Sequence, residues 1–332
     1  MAYSPAHQFG QIIGHVLEKA VLPGLDAIAQ ASNLYLDRKG DRPARQKKKK
    51  VCWLDLYGNS HDLDFVLERH GTDKIHGVPV AFVECAWRRY TKHSKNKVQE
   101  IQGAISPLSD KYECHAPFVG VILAGDYTKP AVEQLRSLHY QVVHIKYESV
   151  IAAFKTVGID ASYDEDTTDA QMRKKLARWK GLTQKKQDSV ASDLQKSIKS
   201  ELDAFNDELQ KAIDRHITKV IVLPLHGCVQ ECTAVDKAIE VVRKYDKDQS
   251  VSEFSRFEVI IHYNNGNRIN GEFQRRQEAI EFLENYLPAA KLIATLPVRA
   301  GVKVISGKVI GVATDSTPKK ARKAKGSREG KT

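Results

Sequence analysis

Two carboxylates stand in apolar company in the stretch from Val51 to Ile105, VCWLDLYGNSHDLDFVLERHGTDKIHGVPVAFVECAWRRYTKHSKNKVQEIQGAI. Asp64 opens onto the run Phe65-Val66-Leu67, and Glu84 follows the run Val80-Ala81-Phe82-Val83. Each acid therefore lies on a strand whose neighbours are driven into a core. A carboxylate there is costly to strip of water unless something compensates its charge. A divalent cation held through oxygen ligands is one such compensator, and two acids on neighbouring strands could share it.

The elements that must position this pair can be read from periodicity. Val51 to Tyr57 alternates, and Gly58-Asn59-Ser60 supplies a tight turn into a return strand, so a hairpin is expected. Asp62 and Asp64 share one face of that return strand. Asp64 is the candidate, because the apolar residues after it carry it into the sheet while Asp62 stays by the turn. Val78 to Arg89 reads as the third strand, with Glu84, Ala86 and Arg88 on one side and Cys85, Trp87 and Arg89 on the other. Ser94 can cap the helix KNKVQEIQGAI, whose stripe Val98, Ile101 and Ile105 is buried and whose Lys97 lies beside that stripe. Upstream, residues 8–22 place Phe9, Ile12, Ile13, Val16 and Leu17 at helical spacing, with Glu18 off the stripe and Pro23-Gly24 interrupting. Leu25 to Leu36 is expected to add another helical turn or two.

An Asp on a second strand, about twenty residues before a Glu on a third and followed at once by a basic helix, resembles the PD-(D/E)XK nuclease superfamily. The resemblance covers about residues 8–157 and rests on order and context, since the motif is short. It implies an α/β fold with a restriction-endonuclease-like core, a mixed central sheet flanked by helices, and a C-terminal helical and α+β region beyond it. It also implies Mg²⁺ held by Asp64 and Glu84, and double-stranded DNA as the partner. The chain departs from the family at one position: two residues after the Glu, where the motif has Lys, stands Ala86. Lys97 from the next helix, or Arg88 from the same strand face, is the candidate replacement. A Glu from the first helix points into the metal site in many members, and Glu18 matches that role; a plain surface glutamate is the alternative for Glu18, and ordinary surface ion pairs are the alternative for Arg88 and Lys97.

Charge is concentrated. The net charge of +11 includes +6 in residues 37–50, DRKGDRPARQKKKK, and +6 in residues 317–332, which leaves the rest of the chain near neutral. Two cationic segments on a neutral fold are what a polyanion-tracking loop and tail look like, although a charge run can also be simply solvated. Lys47, Lys48, Lys49 and Lys50 lead into the strand before Asp64, and Arg89, Lys92 and Lys95 follow Glu84; these are the candidate DNA contacts.

After Pro107, strand, helix, strand and helix follow in turn, completing an α/β sheet by residue 157. A linker is expected at residues 160–169, giving a nuclease core over 1–158, a helical plus α+β domain over 170–312 and a disordered basic tail over 317–332. Within the second domain Val190, Leu194, Ile198, Leu202, Phe205, Leu209 and Ile213 mark one long amphipathic helix, packing on the core or on a second copy. No internal repeat is evident. His226, Cys228 and Cys232 lack the fourth ligand and paired spacing of a structural zinc site. The absence of a P-loop signature and of G-x-S-x-G gives no support to a nucleotide motor or a serine hydrolase. Scattered cysteines, no membrane-length apolar run and no signal-peptide pattern point to a cytoplasmic protein without disulfides. The expected activity is a Mg²⁺-dependent DNA endonuclease of the restriction type. The alternatives are a non-cleaving DNA-binding protein on the same fold, a repair nuclease, or a structural partner in a larger assembly. A two-fold DNA site would favour a homodimer.

Overall fold

The computed structural model describes residues 3–46, 48–112, 115–225, 227–246, 254–264, 266 and 268–287. The tail 317–332, the segment 291–312, Lys47 and His226 lie outside the described residues.

Helix α1 runs from Pro5 to Ala31, and Ser4 caps it by accepting from the His7 N–H. Pro23 does not interrupt it. The helix continues because Leu25, Ile28 and Ala29 extend the buried stripe begun by Phe9, Ile13, Val16 and Leu17, and that burial outweighs one missing hydrogen bond. Gly24 lies against Asn206 at the same point, where a Cβ would make the Asn206 amide shift. Of the span 25–36 expected to be helical, residues up to Ala31 continue α1, and Tyr35 and Leu36 open strand β1, Tyr35–Arg38.

Strands β2 (Val51–Leu54) and β3 (Ser60–Leu63) form the expected hairpin, with Val51 opposite Leu63 and Leu54 opposite Ser60. The chain then breaks at Asp64 and enters a different ladder as β4 (Phe65–Arg69), antiparallel both to β1 and to β5 (Val78–Arg88). Helix α2 (Ser94–Lys111) returns the chain to β6 (Phe118–Gly125), α3 (Lys129–Ser137) to β7 (Gln141–Ile145), and α4 (Tyr147–Lys155) follows. The main sheet has the order β1-β4-β5-β6-β7, antiparallel on the β1–β5 side and parallel from β5 to β7. Helices cover both faces. Val83 and Trp87 pack toward α1, while Phe82 and Ala86 pack toward α2. The protein is thus mixed α/β, with a mixed sheet flanked by helices. Among the described residues no helix is long and apolar enough to cross a membrane.

The linker expected at 160–169 does not separate two cores. Helices α5 (Asp169–Lys180), α6 (Gln184–Ser197) and α7 (Lys199–Ile213) pack onto α1 and α4 and share one hydrophobic core with them. The single long helix expected here is broken at Ile198, whose backbone (φ −117°, ψ 24°) leaves the helical region. The break lets α6 face α1 and α4 while α7 faces β6 and β7, which a straight rod could not do. Its stripe therefore packs on the chain's own core.

Strands β8 (Ile217–Pro224), β9 (Gln230–Cys232), β10 (Phe257–Tyr263) and β11 (Arg268–Phe273), with helices α8 (Val235–Lys244) and α9 (Arg276–Glu284), build a second sheet of order β11-β10-β8-β9. Its order of elements repeats, which is not evident in the sequence. Each half is hairpin then helix, and the first strands of the two halves pair antiparallel at the centre. The shared residues reduce to Ala238-Ile239-Glu240 with Tyr245 and Ala279-Ile280-Glu281 with Tyr286, at equal spacing. Period-two strands and a one-sided helix tolerate almost any substitution elsewhere, so little else marks the repeat.

Part of the cationic run is not available to a polyanion. Arg42 and Arg45 are buried beside Asp37 and Glu68, which are also buried. Arg42 Nη1 lies 2.8 Å from Asp37 and 2.5 Å from Glu68, and Arg42 Nη2 donates to the Thr72 and Ile75 carbonyls at 2.9 Å each. Arg45 donates to the carbonyls of Arg38, Gly40 and Lys49. The pair ties the 39–50 loop to the β1–β4 edge. Breaking a buried pair by removing one partner costs about 3–5 kcal/mol, because it strands the other charge. Arg42→Met should lower unfolding stability by that amount in urea titrations, and adding Asp37→Asn with Glu68→Gln should recover part of it.

Candidate active site

Asp64 and Glu84 hold each other through the backbone. The Asp64 N–H donates to Glu84 Oε1 at 3.1 Å, and the Cys85 N–H donates to Asp64 Oδ2 at 2.8 Å. The break between β3 and β4 makes this possible: Asp64 leaves one ladder before joining the next, so its N–H is free for a side chain. Asp62, the other acid on that strand, is taken by Lys50 at 2.6 Å on the outer face.

Glu18 on α1 joins the pair. Burial and then the Asp64 charge push its pKa up. Asp64 is raised chiefly by burial, against the lowering effects of the Cys85 N–H, Lys97, Lys39 and His15. Glu84, 7 % exposed, is held well above the carboxylate range by burial first and by Asp64 second, with Lys97 opposing. The Cys85 thiol is likewise pushed well up, by burial and by the three acids around it. Three acids with raised pKa values share one partly dry place, and the cations present do not fully offset them.

The two candidate replacements for the motif lysine meet the same carboxylate, Glu100, and differ in what else they touch. Lys97 acts on both Asp64 and Glu84, and its Nζ is 3.3 Å from Glu100 Oε2. Arg88 turns instead to its neighbour's carbonyl, Trp87 O at 3.1 Å, and to Glu100 at 3.5 Å, and it lies near the Tyr127 phenol. Ala86 is buried against the α2 side, where its small side chain fits the core.

Two groups were missed in the sequence. Lys39 Nζ lies 3.1 Å from His15 Nε2, and the His15 ring bonds through Nδ1 to the Gln11 carbonyl at 2.7 Å. With Nδ1 as the protonated nitrogen, Nε2 accepts from the Lys39 ammonium. His15 stands one turn before Glu18 on α1, a spacing that could have flagged it. Lys39 carried no signal beyond membership in a cationic run.

The expected DNA contacts divide. Lys48, Lys49 and Lys50 are exposed on the approach to β2, and Lys95 is exposed at the start of α2. Lys92 is exposed but pairs with Glu165. Arg89 points inward: it donates to the Tyr163 carbonyl, lies 2.5 Å from Asp126 and covers the Tyr147 ring at 4.3 Å. Its role is to clamp the end of β5 to the segment after α4.

A metal fits the Glu18, Asp64 and Glu84 set by chemistry, since three carboxylates are the hard oxygen donors that Mg²⁺ takes and their raised pKa values mark uncompensated charge. Their oxygens do not close to mutual contact distance. The acids and histidine that do, all ligand atoms within 4.8 Å among the described residues, are Asp37, Glu68 and His76. There the Arg42 guanidinium already supplies the cation.

No protein-family model and no curated protein matches the chain. A solved structure described as "Crystal Structure of Protein of Unknown Function AF1548" aligns over 56% of this chain and 99% of that one, at 11% identity and a TM-score of 0.24. A similarity that low carries no argument about fold or function.

The raised pKa values fix a sign. Each acid binds its proton more tightly folded than unfolded, so between the ordinary carboxylate range and the raised value the folded state holds more protons. Stability of the metal-free protein should therefore be greatest at low pH within that window and fall as pH rises. Glu84→Gln should flatten the fall and raise the neutral-pH melting temperature in EDTA by about 2–4 °C per kcal/mol relieved. Scanning melts across the pH window read both, and an unchanged slope in Glu84→Gln would remove Glu84 from the cluster.

Proposed function

We propose that the protein is a Mg²⁺-dependent endonuclease that hydrolyses phosphodiester bonds in double-stranded DNA, on a core of the restriction-endonuclease type. The observation that carries this reading is the Asp64–Glu84 contact, with Glu18 and Lys97 acting on the same pair from the two helices that flank the sheet. Acids from two strands and one helix, with a lysine from another, form a set suited to a phosphate and its metal. The sheet supports it too: an antiparallel turn through β4 and β5 followed by parallel β6 puts both acids beside one another on adjacent strands.

In this reading Asp64 and Glu84 hold Mg²⁺, with Glu18 completing the oxygen set from α1. When bound, the metal polarises the phosphate and lowers the pKa of a water molecule. Lys97 sets a fixed positive charge where negative charge grows on the phosphate oxygens, the place the motif lysine would fill. Lys39, held by His15, places a second cation at the rim near Glu18. The exposed Lys48, Lys49, Lys50 and Lys95 add sequence-independent attraction to phosphates, and a homodimer would present two such sites to the two strands. The restriction-type role in bacterial defence is the expected setting.

The rival is a DNA-binding protein that keeps the fold and does not cut; Ala86 and the open spacing of the acids favour it. Incubating purified protein with plasmid in Mg²⁺ or EDTA separates the two. Discrete fragments or a smear in Mg²⁺ alone support the nuclease, and a mobility shift without cuts supports the rival. Asp64→Asn and Glu84→Gln should each lower cutting by at least about 10²-fold while DNA binding persists. Lys97→Ala should cost a similar factor and Arg88→Ala less, because Lys97 acts on both acids while Arg88 is held by the Trp87 carbonyl and Glu100. Full activity in both ligand variants would remove the site.

A further inference from the structure

The hairpin that leads into Asp64 ends in a tip built against the usual rule for turns. Leu54, Leu56 and Tyr57 are exposed, Tyr57 to 88 % and Leu56 to 63 %, although loop tips ordinarily carry polar residues. The tip is also rigid. Asp55, buried within it, accepts from the Tyr57 and Asn59 N–H groups at 2.9 Å each, from the Asn59 side chain at 3.0 Å and from His61 Nε2 at 3.0 Å. From α2, Lys111 Nζ donates to the Leu54 carbonyl at 2.6 Å, and Trp53 at the hairpin base packs edge-on to Phe82 and Tyr112 in the core. Holding large apolar side chains out in water on a fixed turn gains nothing for folding. It makes sense for a partner that takes them in.

The surroundings say which partner. Lys48, Lys49 and Lys50 are exposed in the segment just before β2, Lys50 paired with Asp62, so the hairpin is entered over a cationic edge and its apolar tip suits a polyanion with apolar surfaces between its charges. The strand leaving the tip runs straight to Asp64. Asp64 lies seven positions after Tyr57, which spans at most about 25 Å of extended chain. That is less than one turn of B-DNA, about 34 Å. A hairpin tip fits a groove, and bases offer flat faces to an aromatic ring and to leucine.

We infer that the 54–60 tip is a wedge that enters a DNA groove beside the candidate active site, where Tyr57 and Leu56 pack against partly unstacked bases. The substrate class of that site is accordingly duplex DNA at a deformable step, such as pyrimidine–purine. This rests on the nuclease reading, and the experiment keeps the two apart.

The test uses full-length protein in an Asp64→Asn background, so that no cutting intervenes, and short mixed-sequence duplexes carrying 2-aminopurine at TA and CA steps. The expected result is a rise in 2-aminopurine fluorescence on binding. Leu56→Ser with Tyr57→Ser should abolish the rise and weaken binding about tenfold or more, with the salt dependence unchanged, as for loss of base stacking. Lys48, Lys49 and Lys50→Gln should do the reverse: they should flatten the salt dependence by about 2–3 in slope and keep the rise at saturating protein. Both tip residues are exposed, so a near-ultraviolet spectrum like that of the parent shows the hairpin intact. Unchanged affinity and fluorescence in the tip variant, while the lysine variant loses affinity, overturns the wedge and leaves the nuclease reading standing. Loss of self-association in sedimentation, without any change on DNA, overturns it in favour of a contact between copies. If the parent binds no duplex at all, the nuclease reading falls and takes the wedge with it.

Discussion

The constraint on which the candidate site depends is the placement of two carboxylates on adjacent strands, each fixed by a backbone N–H of the other's strand. Asp64 and Glu84 cannot drift apart without losing both bonds, and they cannot be fully ionised in a dry place without cost. Everything nearby can be read as managing that charge. Helix α2 sends in Lys97, and the loop after β1 sends in Lys39, which His15 steadies from α1. Glu18 from the same helix adds to the load instead of relieving it. Burial raises all three acids, and Lys97, Lys39 and His15 oppose it only in part.

A contrasting arrangement lies at the sheet edge. Asp37 and Glu68 are as buried as Glu84, yet Arg42 and Arg45 meet them directly, and further bonds go to backbone carbonyls. Those acids are neutralised within the chain and serve to hold a loop. The difference between a site and a strut is whether the compensating charge is already built in. Burial alone does not separate them, and neither does the clustering of ligand atoms.

The same distinction reorganises the basic residues. A run that looks uniformly cationic is divided by the fold into buried struts (Arg42, Arg45), an edge pair (Arg38 with Asp26), a rim cation (Lys39) and an exposed lysine approach to the hairpin. Arg89 undergoes the same reassignment, from expected phosphate contact to a clamp on Tyr163 and Asp126. Residues 160–169 likewise join a single packed core, because the apolar stripes of α5, α6 and α7 have α1 to cover.

The sequence by itself determined the local elements and marked the two acids that the fold brings together. Asp64 and Glu84 were legible because a carboxylate breaks an apolar run, and the hairpin was legible from alternation ending in Gly58-Asn59-Ser60. The stripes of α1 and α2 and the alternating strands followed from periods set by backbone geometry, which neighbours in sequence suffice to fix. What only the tertiary structure decided were matters of partners distant in the chain. Pro23 stays inside a helix because residues beyond it find a core, and Ile198 breaks one because its two halves have different surfaces to cover. Lys97 acts on both acids from α2, whereas Arg88, which alternation placed on the Glu84 face, is held by the Trp87 carbonyl and shares Glu100 with Lys97, because a long side chain follows the nearest charge and carbonyl and not the strand's parity. The repeated hairpin-then-helix order in residues 217–286 stayed hidden because its pattern requires only apolar positions at the right period, and many sequences satisfy that.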